Sequence, residues 1–298
     1  MSQAKLILPT DNSTAPRRVE PSLGVRLARL PKQHPIGAMG AFIILVVILI
    51  AVFAPFIAPY TPTSQASKRL LEPSIAHLLG TDELGRDVLS RIIFGSRISL
   101  YVGVIAVSMA LLLGATTGII SGYIGGNFDN IVMRGVDILF AFPGLVLVIV
   151  IAGLLGPSTA NAMIAIGVVY APAYARVARS SVLTVKAELY LEAARLVGGR
   201  DTHIILRHIL PNIMAPLIVL TTLSMSTAIL TEAALSFLGL GTQPPEPSWG
   251  IMLSNGRRFM EIAPGLAIFP GLAIVIAVLG FNFLGDGLRD ALDPRLKE

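Results

Sequence analysis

The stretch EAARLVGGRDTHIILRHILPN, residues 192–212, is a polar segment in a strongly apolar chain, and the interpretation of the rest depends on it. Charged residues, paired glycines and two histidines interrupt the hydrophobic runs here. Residues 181–197 lack Pro and Gly and are rich in Ala, Leu and Glu, which predicts a helix. Gly198 and Gly199 are expected to end it, because glycine tolerates the left-handed turn common at helix C-termini.

A second short helix is predicted after the two glycines, with Asp201 as its N-cap. Arg207 and His208 lie in its last turn, where positive charge suits the helix dipole. Pro211 is expected to interrupt the helix before the next apolar run, because proline lacks the N–H that a helix interior needs. The apolar side of this helix consists of Ile204, Ile205, Leu206, Ile209 and Leu210. The local design is therefore helix, glycine turn, helix.

The composition is that of a polytopic membrane protein. The chain has 298 residues, 54% of them hydrophobic and 14% charged, with a mean hydropathy of +0.75. Soluble domains carry about 25% charged residues. The absence of cysteine excludes disulfides, thiol nucleophiles and cysteine–metal clusters. The net charge of +5 is better explained by loop charges of a membrane protein than by nucleic acid, so no nucleic-acid partner is expected.

Six segments are apolar enough to be transmembrane helices, which need about 20 residues each. The predicted fold is therefore an all-α polytopic membrane protein. Gly114, Gly118 and Gly122 recur every four residues, which favours close helix packing. The predicted spans cover residues 36–58, 98–123, 138–156, 160–175, 213–231 and 262–284.

The distribution of Lys and Arg predicts the orientation. With six spans and the N-terminus inside, sixteen of the 23 basic residues fall in inner segments. Both termini and the hairpin are then cytoplasmic. The hairpin has two interpretations at this point: it lies on the bilayer, or it fits a groove in a cytoplasmic partner. Ala193 and Ala194 would permit close docking, and Glu192 offers a carboxylate for a specific contact.

The sequence argues against an enzyme. It contains no Gly-Lys pair and hence no G-x-x-x-x-G-K-[ST] loop to cradle phosphates, so ATP must be hydrolysed elsewhere. His203 and His208 are five residues apart, are not expected to share a helix face, and predict no metal site. Asp137 and Asp286 as an aspartyl pair are disfavoured, because both fall at predicted span ends. A channel is disfavoured only weakly, by the lack of acidic rings or carbonyl-filter sequences.

The hairpin resembles the EAA loop of binding-protein-dependent ABC importer permeases. The EAA triplet is followed by Gly198 and then by His208-Ile209-Leu210-Pro211, where the general pattern has Ile at the His208 position. RHILPN is similar to the variant in the dipeptide/oligopeptide/nickel subfamily. Three further stretches resemble the C-type permeases of that subfamily: GTDELGRDVLSR (80–91), FLGLGTQPPEPSWG (237–250) and GDGLRDALDPR (285–295). The similarity covers the chain after residue 35.

The resemblance implies a type I ABC importer permease fold whose hairpin is the coupling helix. Its relatives work with a second related permease as a heterodimer, two ABC ATPase subunits that use ATP and Mg, and an extracytoplasmic solute-binding protein. This chain would bind no cofactor or metal. The implied coupling residues are Glu192, Ala193, Ala194, Gly198, Asp201, Arg207, His208, Leu210 and Pro211.

The implied substrate is a di- or oligopeptide, with nickel chelates or glutathione as alternatives, and the implied location is the bacterial inner membrane among membrane lipid. The resemblance divides the chain into a cytoplasmic tail (1–35), a first helix with its outer loop (36–97), a permease core (98–285) containing the EAA loop at about 178–212, and a cytoplasmic tail (286–298).

Four other residues or groups are candidate functional positions. Pro143 and Gly144 unwind the third span beside a translocation path, or produce a tolerated kink. Glu232 is expected to line the outer cavity or contact the second permease, because an intramembrane carboxylate is costly. Trp249 is interpreted as an interfacial anchor, with a contact to the solute-binding protein as the alternative. Asp82, Arg86 and Asp87 are further candidates for that contact.

Overall fold

The computed structural model describes residues 35–65 and 67–292, without the side chain of Arg195. Within these ranges all regular elements are helices, and the extended pairing is one isolated bridge between Thr81 and Asp87. The predicted cytoplasmic tails lie outside the described residues up to residue 34 and from residue 293.

The helices and their bounds are, in chain order, α1 (Pro35–Val52), α2 (Ala54–Ile57), α3 (Val88–Ile124), α4 (Gly126–Phe140), α5 (Gly144–Leu155), α6 (Thr159–Lys186), α7 (Leu189–Leu196), α8 (Asp201–Ile204), α9 (Leu210–Phe237), α10 (Trp249–Gly256) and α11 (Gly265–Leu292). A π-helical turn, Ile205–Ile209, joins α8 to α9, and a 3-10 turn, Arg257–Phe259, follows α10.

Five helical segments are long and apolar enough to cross a membrane: α1, α3, α6, the continuous segment Asp201–Phe237, and α11. Helices α4 and α5 supply a sixth span if the two are counted as one broken span. The 12 residues of α5 alone rise only about 18 Å, less than the hydrocarbon core of about 30 Å. The predicted all-helical arrangement with six spans is confirmed when this pair counts as one.

The third span differs from its predicted form. It was expected at 138–156, but its first half begins at Gly126 and the two halves are bent by 88°. The break lies between Phe140 and Gly144, with Pro143 as the N-cap of α5. Proline lacks an N–H and disfavours the helical conformation in the residue before it. Pro143 therefore accompanies a true interruption, not a kink within a continuous helix.

Four other spans are longer than predicted, and α3 and α6 show the physical reasons. α3 begins at Val88, ten residues before the predicted start, because the Asp87 carboxylate caps it by accepting from the Ser90 N–H at 2.8 Å. α6 continues to Lys186, eleven residues past the predicted end. Its added turns bury Ala178 and Val182, so packing supports a helix where hydropathy alone stops.

The glycines spaced by four let α3 and α6 approach closely, which confirms the packing prediction. A Cβ added at Gly114 would lie 2.1 Å from the carbonyl oxygen of Ala171, and one at Gly118 would lie 2.2 Å from that of Ala175. Contacts this short are with backbone atoms that cannot rotate away. The spacing therefore fixes the distance between these two helices.

We expect Gly118→Leu to destabilise the protein, because overpacking a tight helix contact typically costs about 1–3 kcal/mol. The measurement is the midpoint of thermal unfolding in detergent, followed by size-exclusion chromatography of a fluorescent fusion. Gly135→Leu is the matched control, because no atom lies within 4 Å of a Cβ added at Gly135. Equal midpoints for the two variants would contradict the packing account.

Candidate functional site

The hairpin has the predicted helix, glycine turn and helix, with a shorter first helix. The helix predicted over 181–197 is interrupted after Lys186, and α7 starts anew at Leu189. Gly198 has a φ of +87°, and the Gly199 N–H donates to the carbonyl of Ala194 at 3.0 Å. These features confirm the glycine stop, since a left-handed residue with such a backward bond closes a helix C-terminus.

Asp201 does not cap the second helix, so that prediction is wrong. The N-cap is Arg200, and Asp201 is the first helical residue. Its carboxylate instead accepts a hydrogen bond from the Tyr123 hydroxyl at 2.5 Å. On the other side of the hairpin, Lys186 Nζ donates to the carbonyls of Gly122 (3.3 Å) and Tyr123 (2.8 Å). Both arms of the hairpin are therefore fastened to the C-terminal end of α3.

Pro211 does not interrupt the helix before the fifth span, so the prediction of a break at this residue is wrong. A π turn before Pro211 lets the helix continue. The Leu210 N–H donates to the carbonyl of Ile205, five residues earlier, and Asn212 Nδ2 donates to the carbonyl of His208 at 2.6 Å. The hairpin and the span therefore form one continuous helical segment, Asp201–Phe237.

The π turn also overturns the expectation that His203 and His208 lie apart. Their ring centroids are 5.8 Å from each other, because residues five apart align in a π turn and not in an α-helix. No group of three or more potential metal ligands occurs among the described residues.

The hairpin turns a few apolar side chains inward and several outward. Leu191, Ile204 and Ile209 are buried, whereas Leu196 and Val197 at the tip are each 89% exposed. Leu206, predicted on the apolar side that packs inward, is exposed as well. An exposed apolar patch beside polar residues is typical of an interaction surface. Sequence patterns alone did not single out Leu196 and Val197.

The predicted coupling residues lie together on this hairpin. Glu192, Ala193, Gly198, Asp201, Arg207 and Pro211 are exposed, and Ala194, His208 and Leu210 are half-buried. The hairpin thus offers a carboxylate, small residues and an apolar tip on one compact protrusion.

A groove of about 350 Å³ lies beside the bend of the third span. Its walls come from both sides of the break, with Pro143 between the lining residues Phe142 and Gly144, and from Pro172 in α6. Its lining carries hydroxyl groups but no charged side chain: Leu139, Phe140, Phe142, Gly144, Val169, Tyr170, Pro172, Ala173, Ser224 and Thr227. The lining is therefore mostly apolar, with hydroxyl groups from Tyr170, Ser224 and Thr227.

Glu232 lies inside the subunit, which corrects the expectation that it lines a cavity or faces a second permease. Its side chain has no exposed surface. The Ser236 hydroxyl donates to it at 2.7 Å, and the hydroxyls of Ser99 and Thr242 lie at 3.4 Å. The carboxylate joins α3, α9 and the loop after α9, as a buried polar group must be satisfied internally.

The residues proposed for a solute-binding-protein contact are also buried. Arg86 pairs with Asp82 at 2.7 Å, and Asp87 accepts from His77 Nδ1 at 2.9 Å. Trp249 is neither an interfacial anchor nor a surface contact: it is 2% exposed, and its Nε1 donates to the carbonyl of Ile92 at 3.0 Å. The ion pairs connect parts of the loop between α2 and α3, and Trp249 joins α10 to α3.

Asp137 has a partner other than Asp286. Its carboxylate accepts from Arg176 at 2.7 Å, so the structure gives no support to an aspartyl pair.

Comparison with known proteins places these features in a family. Residues 114–298 match the model of the binding-protein-dependent transport system inner membrane component, and residues 27–73 match the N-terminal TM domain of oligopeptide transport permease C. The dipeptide transport system permease protein DppC of Alkalihalophilus pseudofirmus is 48% identical, with 89% of this chain and 88% of that protein covered. The glutathione transport system permease protein GsiD of Pectobacterium atrosepticum is 47% identical, with 90% of each covered.

A solved chain of the methionine ABC transporter MetNI, in an inward-facing conformation, shares the fold. Its TM-score is 0.56 at 19% identity, covering 69% of this chain and 97% of that chain. Together with the apolar helices, these matches make the protein a multi-pass inner-membrane protein. The chain belongs to the family of binding-protein-dependent transport system inner membrane components and is a permease subunit of the ABC importer type.

Proposed function

We propose that this chain forms half of the translocation path of an ATP-driven importer for di- or oligopeptides, and that the hairpin from Leu189 to Ile209 receives the force of the ATPase. The exposed apolar tip at Leu196 and Val197, on a hairpin fastened to α3, is the observation that carries the coupling role. Glutathione is the alternative substrate, because one relative is named for it and it is itself a small peptide.

The energy would come from two ATPase subunits that bind ATP and Mg, since this sequence has no phosphate-binding loop. Closure of the ATPases on ATP would draw this hairpin towards that of a second, related permease. The continuous segment Asp201–Phe237 gives a stiff connection from the hairpin into the membrane. A channel, the alternative from another class, would need no such connection.

The proposed orientation places the hairpin and both termini in the cytoplasm. Lys186, Arg200 and Arg207 give the hairpin end positive charge, as the positive-inside rule requires. The loop between α2 and α3 would then face outwards. Because Asp82, Arg86 and Asp87 point inwards, its exposed side is the better candidate for a contact with the solute-binding protein; Ile75 there is 99% exposed.

We expect Leu196→Asp to remove the ATPase subunits from the purified complex, because a charge in an apolar docking contact must be desolvated without a partner. The measurement is co-purification of the ATPases with the tagged permease. Ile75→Asp is the matched control, as it makes the same kind of change on the opposite loop. Retention of ATPases by Leu196→Asp at the unmodified level would show that the hairpin tip is not their docking site.

The orientation has a direct test, because the natural chain contains no cysteine. We expect Val197→Cys to react with a membrane-impermeant maleimide only in inside-out vesicles, and Ile75→Cys only in right-side-out vesicles. Both side chains are highly exposed, so access depends on the side of the membrane. The opposite labelling pattern would reverse the topology.

A further inference from the structure

Two ion pairs fasten the first half of the bent span to α6. Asp129, buried near the start of α4, accepts from Arg179 Nε and Nη2 at 2.6 and 2.5 Å and from the Ser121 hydroxyl at 2.5 Å. Eight residues along α4, Asp137 accepts from Arg176 at 2.7 Å. The order of the partners is reversed between the helices, since Asp129 precedes Asp137 in α4 whereas Arg179 follows Arg176 in α6. Together the two ion pairs connect α4 to one turn of α6.

The same segment of α6 leads directly into the hairpin. Lys186, its last residue, bonds the C-terminal carbonyls of α3, and α7 begins three residues later. The inner half of α6 and the hairpin are therefore close in sequence and share α3 as support. Because α4 is tied to this half of α6, it is mechanically connected to the hairpin as well.

The third span and α6 are both interrupted or weakened where they line the groove. The third span is interrupted between Phe140 and Gly144, and α6 contains Pro172, which removes one backbone hydrogen bond. Phe140 and Pro172 line the same groove. The Arg176 guanidinium lies 3.8 Å from the centroid of the Phe140 ring, so the second ion pair ends at the edge of the break.

We propose that Asp129, Asp137, Arg176 and Arg179 are positioning residues that carry displacement of the hairpin to α4, which then swings against α5 at the break and reshapes the groove. This inference rests on the proposed coupling function. Separating Asp129 from Arg179 would leave a buried carboxylate unpaired, which is costly. Asp137 and Arg176 are exposed, so their ion pair adds less to the connection. The Asp129–Arg179 pair therefore persists during the movement, and the interrupted backbone at 141–143 takes up the change.

Distances between spin labels test the movement in the complex of this chain with its second permease and ATPases. Pairs of cysteines are placed at Glu188 and Ile131, and at Glu188 and Leu154; all three side chains are exposed and none belongs to the coupling set. On adding a non-hydrolysable ATP analogue, we expect the 188–131 distance to stay constant and the 188–154 distance to shift. Equal behaviour of the two distances, moving or still, would overturn the inference.

The ion pairs themselves are tested by charge reversal. We expect Asp129→Arg and Arg179→Asp each to lower uptake per ATP hydrolysed by about tenfold and to broaden the 188–131 distance, as for residues in direct contact. The double variant Asp129→Arg, Arg179→Asp should recover most of the uptake per ATP hydrolysed and most of the narrow 188–131 distance distribution. Arg134→Gln is the control, since Arg134 is exposed on the same helix. Equal losses in the single and double variants would refute positioning by the pair.

The outcomes separate this inference from the coupling function on which it rests. If no ATPase co-purifies with the unmodified permease, both the coupling function and the inference that rests on it are refuted. If the ATPases bind and hydrolyse ATP while the two label distances behave alike, only the proposed movement of α4 against α5 at residues 141–143 is refuted.

Discussion

The close approach of α3 and α6 at Gly114 and Gly118 is the contact on which the other features depend. With no side chain between them, the two backbones meet near van der Waals distance. The end of α3 then lies beside Lys186, which bonds its carbonyls, and beside Asp201, which accepts from Tyr123. A bulkier residue would separate the helices and release the hairpin at the same time. The packing of α3 against α6 and the position of the hairpin therefore depend on each other.

Hydropathy was sufficient to predict the number of spans, and helix-forming residues on either side of Gly198 and Gly199 were sufficient to predict the helix-turn-helix form of the hairpin. The lengths of the helices could not be predicted from hydropathy. The last turns of α6, for example, are stabilised by the burial of Ala178 and Val182 in the bundle and not by a continuous apolar sequence. Pro143 was recognisable as a weak point. The 88° bend was not, because Pro143 indicates an interruption but not its angle, and the ion pair of Asp129 with Arg179, fifty positions away, is not visible in any local pattern.

The misassigned site residues were all expected to face outwards from the subunit. Glu232 was assigned to a cavity or to a second permease because an intramembrane carboxylate is costly, and Trp249 was assigned to the membrane interface because aromatic side chains are enriched there. Asp82 was assigned to a contact with the solute-binding protein. Each instead has an internal partner, and for Trp249 it is a carbonyl 157 residues away in sequence. No local pattern contains that information. The π turn was missed for a different reason: Pro211 suggested a break, whereas a wider helical turn before it lets the helix continue past a residue without an N–H.

The central claim is that the chain carries peptides and that transport is driven by ATP at the hairpin side. Its most direct test is uptake of a radiolabelled dipeptide into proteoliposomes that contain the complete complex, with ATP enclosed and the solute-binding protein outside. We expect uptake only when ATP and binding protein are both present, with little competition from glutathione. Dipeptide flux without ATP would contradict the mechanism, and uptake of glutathione but not of the dipeptide would contradict the choice of dipeptides over glutathione as the substrate.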